Sequence, residues 1–235
     1  MSSSPSRTII RPRDAATLII LRRDGDGSRV LMGKRHAGSA FMPNKYVFPG
    51  GRVDAADCRL RPGADLEPAV ADKLMVRMRG TPSPGRARGL AKAAVRETYE
   101  EVGLIVGTEL SDRPRTRSAP WRAFLDTGYA PDLSGLRYFA RAITPPGRPR
   151  RFDTRFFVLD ASHVVNAATP ANVTEELLDP CWLRLEETAD LELPNITKDI
   201  LARLKPALDA RDALRPGAPL PFQYLRAKSW IIETI

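Results

Sequence analysis

Apolar residues are spaced in two ways along this chain of 235 residues. Some form short unbroken runs and others recur every three or four positions. AATLIILRR, residues 15–23, is an unbroken run closed by the turn DGDG, and it predicts a buried strand. RVLMGKR, residues 29–35, is its expected hairpin partner, and YVFPGG, residues 46–51, reads as a short strand running into a tight turn. In EPAVADKLMVRMR, residues 67–79, Val70, Leu74, Met75 and Met78 fall at helical spacing, and Pro68 is tolerated in the first turn. GTPSPGRARG, residues 80–89, is then expected to break the chain. LAKAAVRETYEEVG, residues 90–103, is the clearest helix. Leu90, Ala94 and Val95 face inward, Val102 lies near the end, and Gly103 suits the position after the terminus.

Residues 108–131 show no repeat and little periodicity. LRYFARAI (136–143) and TRFFVLDA (154–161) read as strands joined by TPPGRPRRFD, and DPCWLRL (179–185) as another strand. Residues 197–214 are helical in pattern, with Ile200, Leu201 and Leu204 on one face and Pro206 expected to kink or end the helix. Strands alternate with helices without a linker or repeat. The pattern predicts an α+β fold, a mixed sheet with helices on its faces, as one unit over residues 14–235 behind a flexible leader at 1–13.

Composition narrows the function classes. The chain is 43% hydrophobic and 28% charged, as in ordinary globular proteins, and long enough to bury a core without covalent staples. Its two cysteines have no metal-site spacing and are expected to be reduced thiols. A net charge of +9 can steer polyanions. There is no run of five or six Lys/Arg, no aromatic-basic RNA signature and no zinc finger, so nucleic acid is not the expected partner. No stretch of eighteen apolar residues could span a membrane. The Ser/Arg-rich start lacks the apolar core of a secretory signal, and a cytoplasmic location is expected.

The candidate chemistry sits in RETYEEVGL, residues 96–104, which places three glutamates within five residues. Glu97 is i,i+3 to Glu100 and i,i+4 to Glu101, so like charges share a helix face and destabilise it. A divalent cation would resolve the crowding, since Mg2+ takes oxygen ligands and often only one or two carboxylates beside waters and substrate phosphates. Arg96 is i,i+4 to Glu100 and can orient that carboxylate. Gly50 and Gly51 allow close approach of the backbone to a ligand or to this helix.

RETYEEVGL fits R-E-(apolar or Thr)-x-E-E-x-G-(apolar), and Gly51 followed by Asp57 fits a glycine, five residues and an acid, with Asp where Glu is usual. Together they resemble the two halves of a Nudix box. The usual box has seven residues between acid and arginine, whereas here residues 58–95 intervene, 38 in number. A long loop costs little extra closure entropy, so an insertion at this junction is tolerable. It either caps the site or packs on the surface. The resemblance implies a Nudix-type α/β/α sandwich with a central mixed sheet and a helical insertion within the box. It also implies Mg2+ or Mn2+ held by Glu97, Glu100, Glu101 and Asp57, with Arg96 among the catalytic residues.

The lead-in SAFMPNKYVFPGG, the stretch TPPGRPRRFDTRFFV and TEELLDPCWL look like the coenzyme A diphosphatase branch, most like its peroxisomal-type member. That likeness implies cleavage of coenzyme A or acyl-coenzyme A to 3′,5′-ADP and (acyl-)phosphopantetheine. Arg35, Gly50, Gly51, Arg151 and Asp153 would contact the substrate, with Arg150 and Arg155 further phosphate candidates and Asp153 able to orient an arginine. Glu176 is a candidate general base from a later loop. The alternatives are another nucleotide-type substrate (ADP-ribose, a nucleoside triphosphate, capped RNA) or a non-catalytic nucleotide-sensing module. Homodimers are common in the family.

Overall fold

The computed structural model describes residues 10–25, 27–39, 42–170, 174, 176–210 and 214–235. Most of the expected leader, together with Ala40 and Phe41 of the lead-in and Glu175 of TEELLDPCWL, lies outside the described residues. Arg13, placed in the leader by sequence, already belongs to the first strand.

In chain order the elements are β1 (Arg13–Asp24), β2 (Gly27–Arg35), β3 (Tyr46–Val47), β4 (Gly50–Arg52), α1 (Ala55–Arg59), α2 (Pro68–Met75), α3 (Pro84–Val102), β5 (Gly107–Glu109), α4 (Ala119–Asp126), β6 (Tyr129–Pro131), β7 (Arg137–Ile143), β8 (Phe152–Asp160), β9 (Leu177–Arg184), α5 (Asn195–Asp209), β10 (Pro221–Arg226) and β11 (Ser229–Thr234). Among the described residues the main sheet runs β11-β10-β7-β8-β1-β2-β3, with β4 also on β1 and β9 also on β2. The β1–β8 and β10–β7 pairs are parallel and the rest antiparallel, so the sheet is mixed. β5 and β6 form a separate pair.

The continuous apolar run of β1 follows from its position. Side chains alternate across a strand. Leu18 and Ile20 enter the cluster that holds Leu90, Ala94 and Val95 of α3, whereas Ile19 and Leu21 enter the one that holds Ile200, Leu201 and Leu204 of α5. A strand covered on both faces has no polar side to show. The sheet therefore lies between two helical layers, as the sandwich expectation requires.

Four features depart from the sequence expectation. The break at residues 80–89 is shorter than expected, because Ser83 Oγ accepts the Arg86 N–H, Pro84 opens α3, and Gly85 and Gly89 lie within that helix. Gly89 has a packing reason: a Cβ there would lie 2.5 Å from Cys58 Sγ, so its absence lets α1 settle against α3. Residues 107–131 hold β5, α4 and β6 where little periodicity was evident. α5 continues through Pro206 to Asp209, and β10 and β11 add a hairpin after it.

The segment between Asp57 and Arg96 is not a flap. Val70 and Leu74 of α2 are each 1% exposed within the α3-side core, and Arg77 offers its carbonyl to Arg141 Nη1 at 3.1 Å. No helix among the described residues is long and apolar enough to cross a membrane.

Candidate active site

Glu97, Glu100 and Glu101 lie in the last turns of α3, before Gly103 closes the helix in a left-handed conformation at φ 68°. Their surroundings come from two other parts of the chain. Arg96 is 4% exposed and its guanidinium connects them. Nε donates to Asp57 Oδ1 at 2.9 Å, and Nη2 donates to Asp57 Oδ2 at 3.1 Å and to the Arg52 carbonyl at 2.8 Å. Nη1 lies 2.9 Å from Glu97 Oε1 and 2.6 Å from Glu100 Oε2. One planar fork thus fixes the β4 exit, helix α1 and two carboxylates together.

The glycines approach from the opposite side. A Cβ on Gly51 would lie 2.4 Å from Glu97 Cδ, so only glycine lets that carboxylate lie against β4. The Gly50 N–H donates to Glu101 Oε2 at 2.9 Å. The two stretches separated by residues 52–95 therefore meet in space.

Burial disfavours the charged form of all three acids, although Arg96 pairs with two of them. Burial pushes the Glu101 carboxyl up to about 8; Glu97 and Glu176 add to the rise, and the Gly50 bond and Arg35 oppose it. Burial pushes Glu97 up to about 7, with Arg96 pulling down and Glu100 pushing up. Glu100 is raised by burial as well, against the pull of Arg96. Arg96 itself is held above its ordinary value, because its bond to Asp57 and the charges of Glu97, Asp57 and Glu100 outweigh the effect of burial.

Asp57 corrects a sequence expectation. It was placed among the metal ligands, but it is 0% exposed and its carboxylate is filled. Oδ1 accepts from Arg96 Nε and from Trp121 Nε1 at 2.8 Å, and Oδ2 accepts from the Asp54 N–H at 2.7 Å and from Arg96 Nη2. Four donors occupy its four lone-pair directions. Trp121, buried on α4, is the site residue that sequence reasoning missed. The signal lay in SAPWRAFLD: a serine, a proline two residues on, then Trp121, Phe124 and Leu125 at helical spacing.

Arg35 and Glu176 both contribute to the field at Glu101, and the Arg35 backbone pairs with Leu177, the residue after Glu176. Arg35 Nε is buried without a hydrogen-bond partner among the described residues. Glu176 is exposed. The other substrate candidates lie elsewhere. Arg151 donates to the Thr144 and Ile10 carbonyls, on the chain entering β1. Asp153 is fully buried in a two-pronged pair with Arg141 at 2.8 and 2.7 Å, so it orients an arginine and does not reach a ligand. Arg155 is fully buried and bonded to Asp14 at 2.7 Å, which removes it from the phosphate candidates.

Among the described residues no three His, Cys, Asp or Glu side chains form a ready-made metal cage. Arg96 holds Glu97 and Glu100, and the Gly50 N–H holds Glu101. The donor set still fits Mg2+ or Mn2+. It is all oxygen, three carboxylates share one arginine, and Mg2+ commonly needs only one or two carboxylates beside waters and phosphates.

No family model matches the chain. It is 30% identical over 190 residues to putative nudix hydrolase 7 of Caenorhabditis elegans, a match covering 76% of this chain and 53% of that protein. It is also 30% identical over 183 residues to the acyl-coenzyme A diphosphatase NUDT19 of Gallus gallus, covering 55% of this chain and 47% of that one. The chain spans about half the length of the curated relatives it matches. A crystal structure of a NUDIX hydrolase from Alicyclobacillus acidocaldarius aligns with a TM-score of 0.59 at 26% identity, covering 82% of this chain and 90% of that one.

Proposed function

The chain belongs to the Nudix hydrolase superfamily, and we propose that it hydrolyses the diphosphate linkage of coenzyme A or acyl-coenzyme A with the help of Mg2+ or Mn2+. The products would be 3′,5′-ADP and (acyl-)phosphopantetheine. The observation that carries the reading is the meeting of Gly50 and Gly51 with Glu101 and Glu97 across the long intervening segment. The similarity to an acyl-coenzyme A diphosphatase supports the substrate class.

In this reading Glu97, Glu100 and Glu101 hold the cation. When bound, it would screen the diphosphate, polarise a phosphorus-bound oxygen and lower the pKa of a water molecule. Arg96 orients Glu97 and Glu100, and Asp57 with Trp121 keeps Arg96 in place. Arg35, whose charge reaches Glu101, offers its guanidinium to a phosphate oxygen as a charge-assisted bond. Glu176, exposed beside Arg35, takes the proton of the attacking water. The substrate is a dissolved nucleotide-type molecule, and both cysteines are free, which suits a reducing compartment such as the cytoplasm.

The test is a substrate panel with Mg2+ and with Mn2+, its products identified by mass spectrometry. Release of 3′,5′-ADP from coenzyme A or its thioesters is the expected result. Turnover confined to ADP-ribose, nucleoside triphosphates or capped RNA would overturn the substrate. No turnover of any diphosphate would overturn the reaction.

A further inference from the structure

A cavity of about 450 Å³ lies between α1, the following loop and the first half of α3, and none of the three glutamates lines it. Its wall includes Cys58, Arg59, Arg61, Asp65, Arg88 and Lys92. The charges there do not balance. Asp65 is taken by Arg88, whose Nε lies 2.8 Å from both carboxylate oxygens. Three cations remain. Arg59 and Arg61 are exposed, and neither side chain makes a hydrogen bond or ion pair among the described residues.

Lys92 is the unusual member. It is 1% exposed, and its ammonium donates to one acceptor, the Leu60 carbonyl, although it carries three N–H groups. Burial pushes its amine down to about 8, with Cys58 and Asp57 pulling the other way. Asp57, whose charge Lys92 feels, is already filled by Arg96, Trp121 and Asp54. A buried ammonium without a counter-charge is costly, and an anion in the cavity would supply that charge.

We propose that this cavity is a second anion site, separate from the glutamate cluster, that takes a phosphate or diphosphate group through Lys92, Arg59 and Arg61. The volume suits a small phosphorylated molecule as well as a free anion. Guanidinium groups give forked bonds to phosphate oxygens, and the ammonium acts as a fixed point charge at the back.

The test is calorimetric titration of the full chain, freed of metal by chelation, with inorganic pyrophosphate and separately with AMP. The two arms distinguish a free anion from a nucleotide-borne phosphate, and binding of either probe at this cavity supports the site. The double variant Arg59→Ala/Arg61→Ala, at two exposed positions, should weaken binding at least ten-fold, and Lys92→Met should do likewise. Any binding at the glutamate cluster is the part lost in Arg35→Ala, and the part lost in Arg59→Ala/Arg61→Ala should persist in Arg35→Ala. The exposed pair Arg115→Ala/Arg117→Ala removes the same net charge elsewhere and should have little effect. Equal weakening in that control, or unchanged affinity in Arg59→Ala/Arg61→Ala, would overturn the proposal. Circular dichroism checks that Lys92→Met is folded; if it is not, the double variant alone decides.

Discussion

Arg96 and Asp57, thirty-nine residues apart, form a buried two-pronged ion pair, with Nε–Oδ1 at 2.9 Å and Nη2–Oδ2 at 3.1 Å. Removing one partner leaves the other charge buried and unpaired, which typically costs about 3–5 kcal/mol. Asp57→Ala is therefore expected to lower the metal-free stability by roughly that amount, read from urea unfolding. A metal ligand would behave differently, losing cation affinity with little change in the chelated protein.

Glu101→Gln removes a charge that burial already disfavours and keeps an acceptor for the Gly50 N–H. Turnover should fall by about 100-fold or more, as for loss of a group that holds or orients a catalytic metal. Circular dichroism and chelated-state stability should stay at or above the parent. Retained full activity would remove Glu101 from the proposed cation site.

Gly51→Ala sends a methyl group into the Glu97 carboxylate. Forcing an extra carbon into a packed site costs about 1–3 kcal/mol. Mn2+ affinity and turnover should both drop as Glu97 is displaced. Isothermal titration with Mn2+ beside a rate measurement checks the pair of effects.

Stability should depend on pH in a definite direction. The Glu97 and Glu101 carboxyls are raised from their ordinary range to about 7 and about 8. The folded chain therefore favours their protonated forms. The stability associated with those forms is fully present below the ordinary carboxyl pKa and is lost as pH rises through about 7 and 8. A cation that neutralises the carboxylates restores it. The Tm increase produced by Mn2+ should thus be larger at about pH 8.5 than at about pH 6. A flat or reversed trend in scanning calorimetry would count against a cation on these two side chains.

Gly89 and Cys58 give a check on the α1–α3 contact. Gly89→Ala should destabilise the chain by about 1–3 kcal/mol, because the new methyl meets the Cys58 sulfur. Adding Cys58→Ala should recover part of that loss, and a double-mutant cycle measures the coupling.

Much of this structure could be read from local pattern. β1 and the inward face of α3 follow from runs and spacings contained within one element. α4 was hidden because it is eight residues long and is stabilised by contacts from afar, Tyr99 packing its ring 5.3 Å from that of Phe124 and Asp57 accepting from Trp121 Nε1. The β10–β11 hairpin was hidden because its turn places Ala227 and Lys228 at φ 47° and 68°, where glycine or asparagine would have signalled it. At the site, the glutamates and glycines were singled out by their resemblance to the two halves of a Nudix box. The role of Asp57 was not legible, since its partners Arg96 and Trp121 lie 39 and 64 residues away.

The bond from Trp121 Nε1 to Asp57 Oδ1 has an optical consequence. An indole held against a carboxylate emits according to that carboxylate's charge and distance. Asp57 in turn holds the arginine that holds Glu97 and Glu100. With Trp182 and Trp230 replaced by phenylalanine, the chain carries a fluorophore one residue behind the arginine clamp, where tryptophan emission follows a shift of Arg96 without an added label.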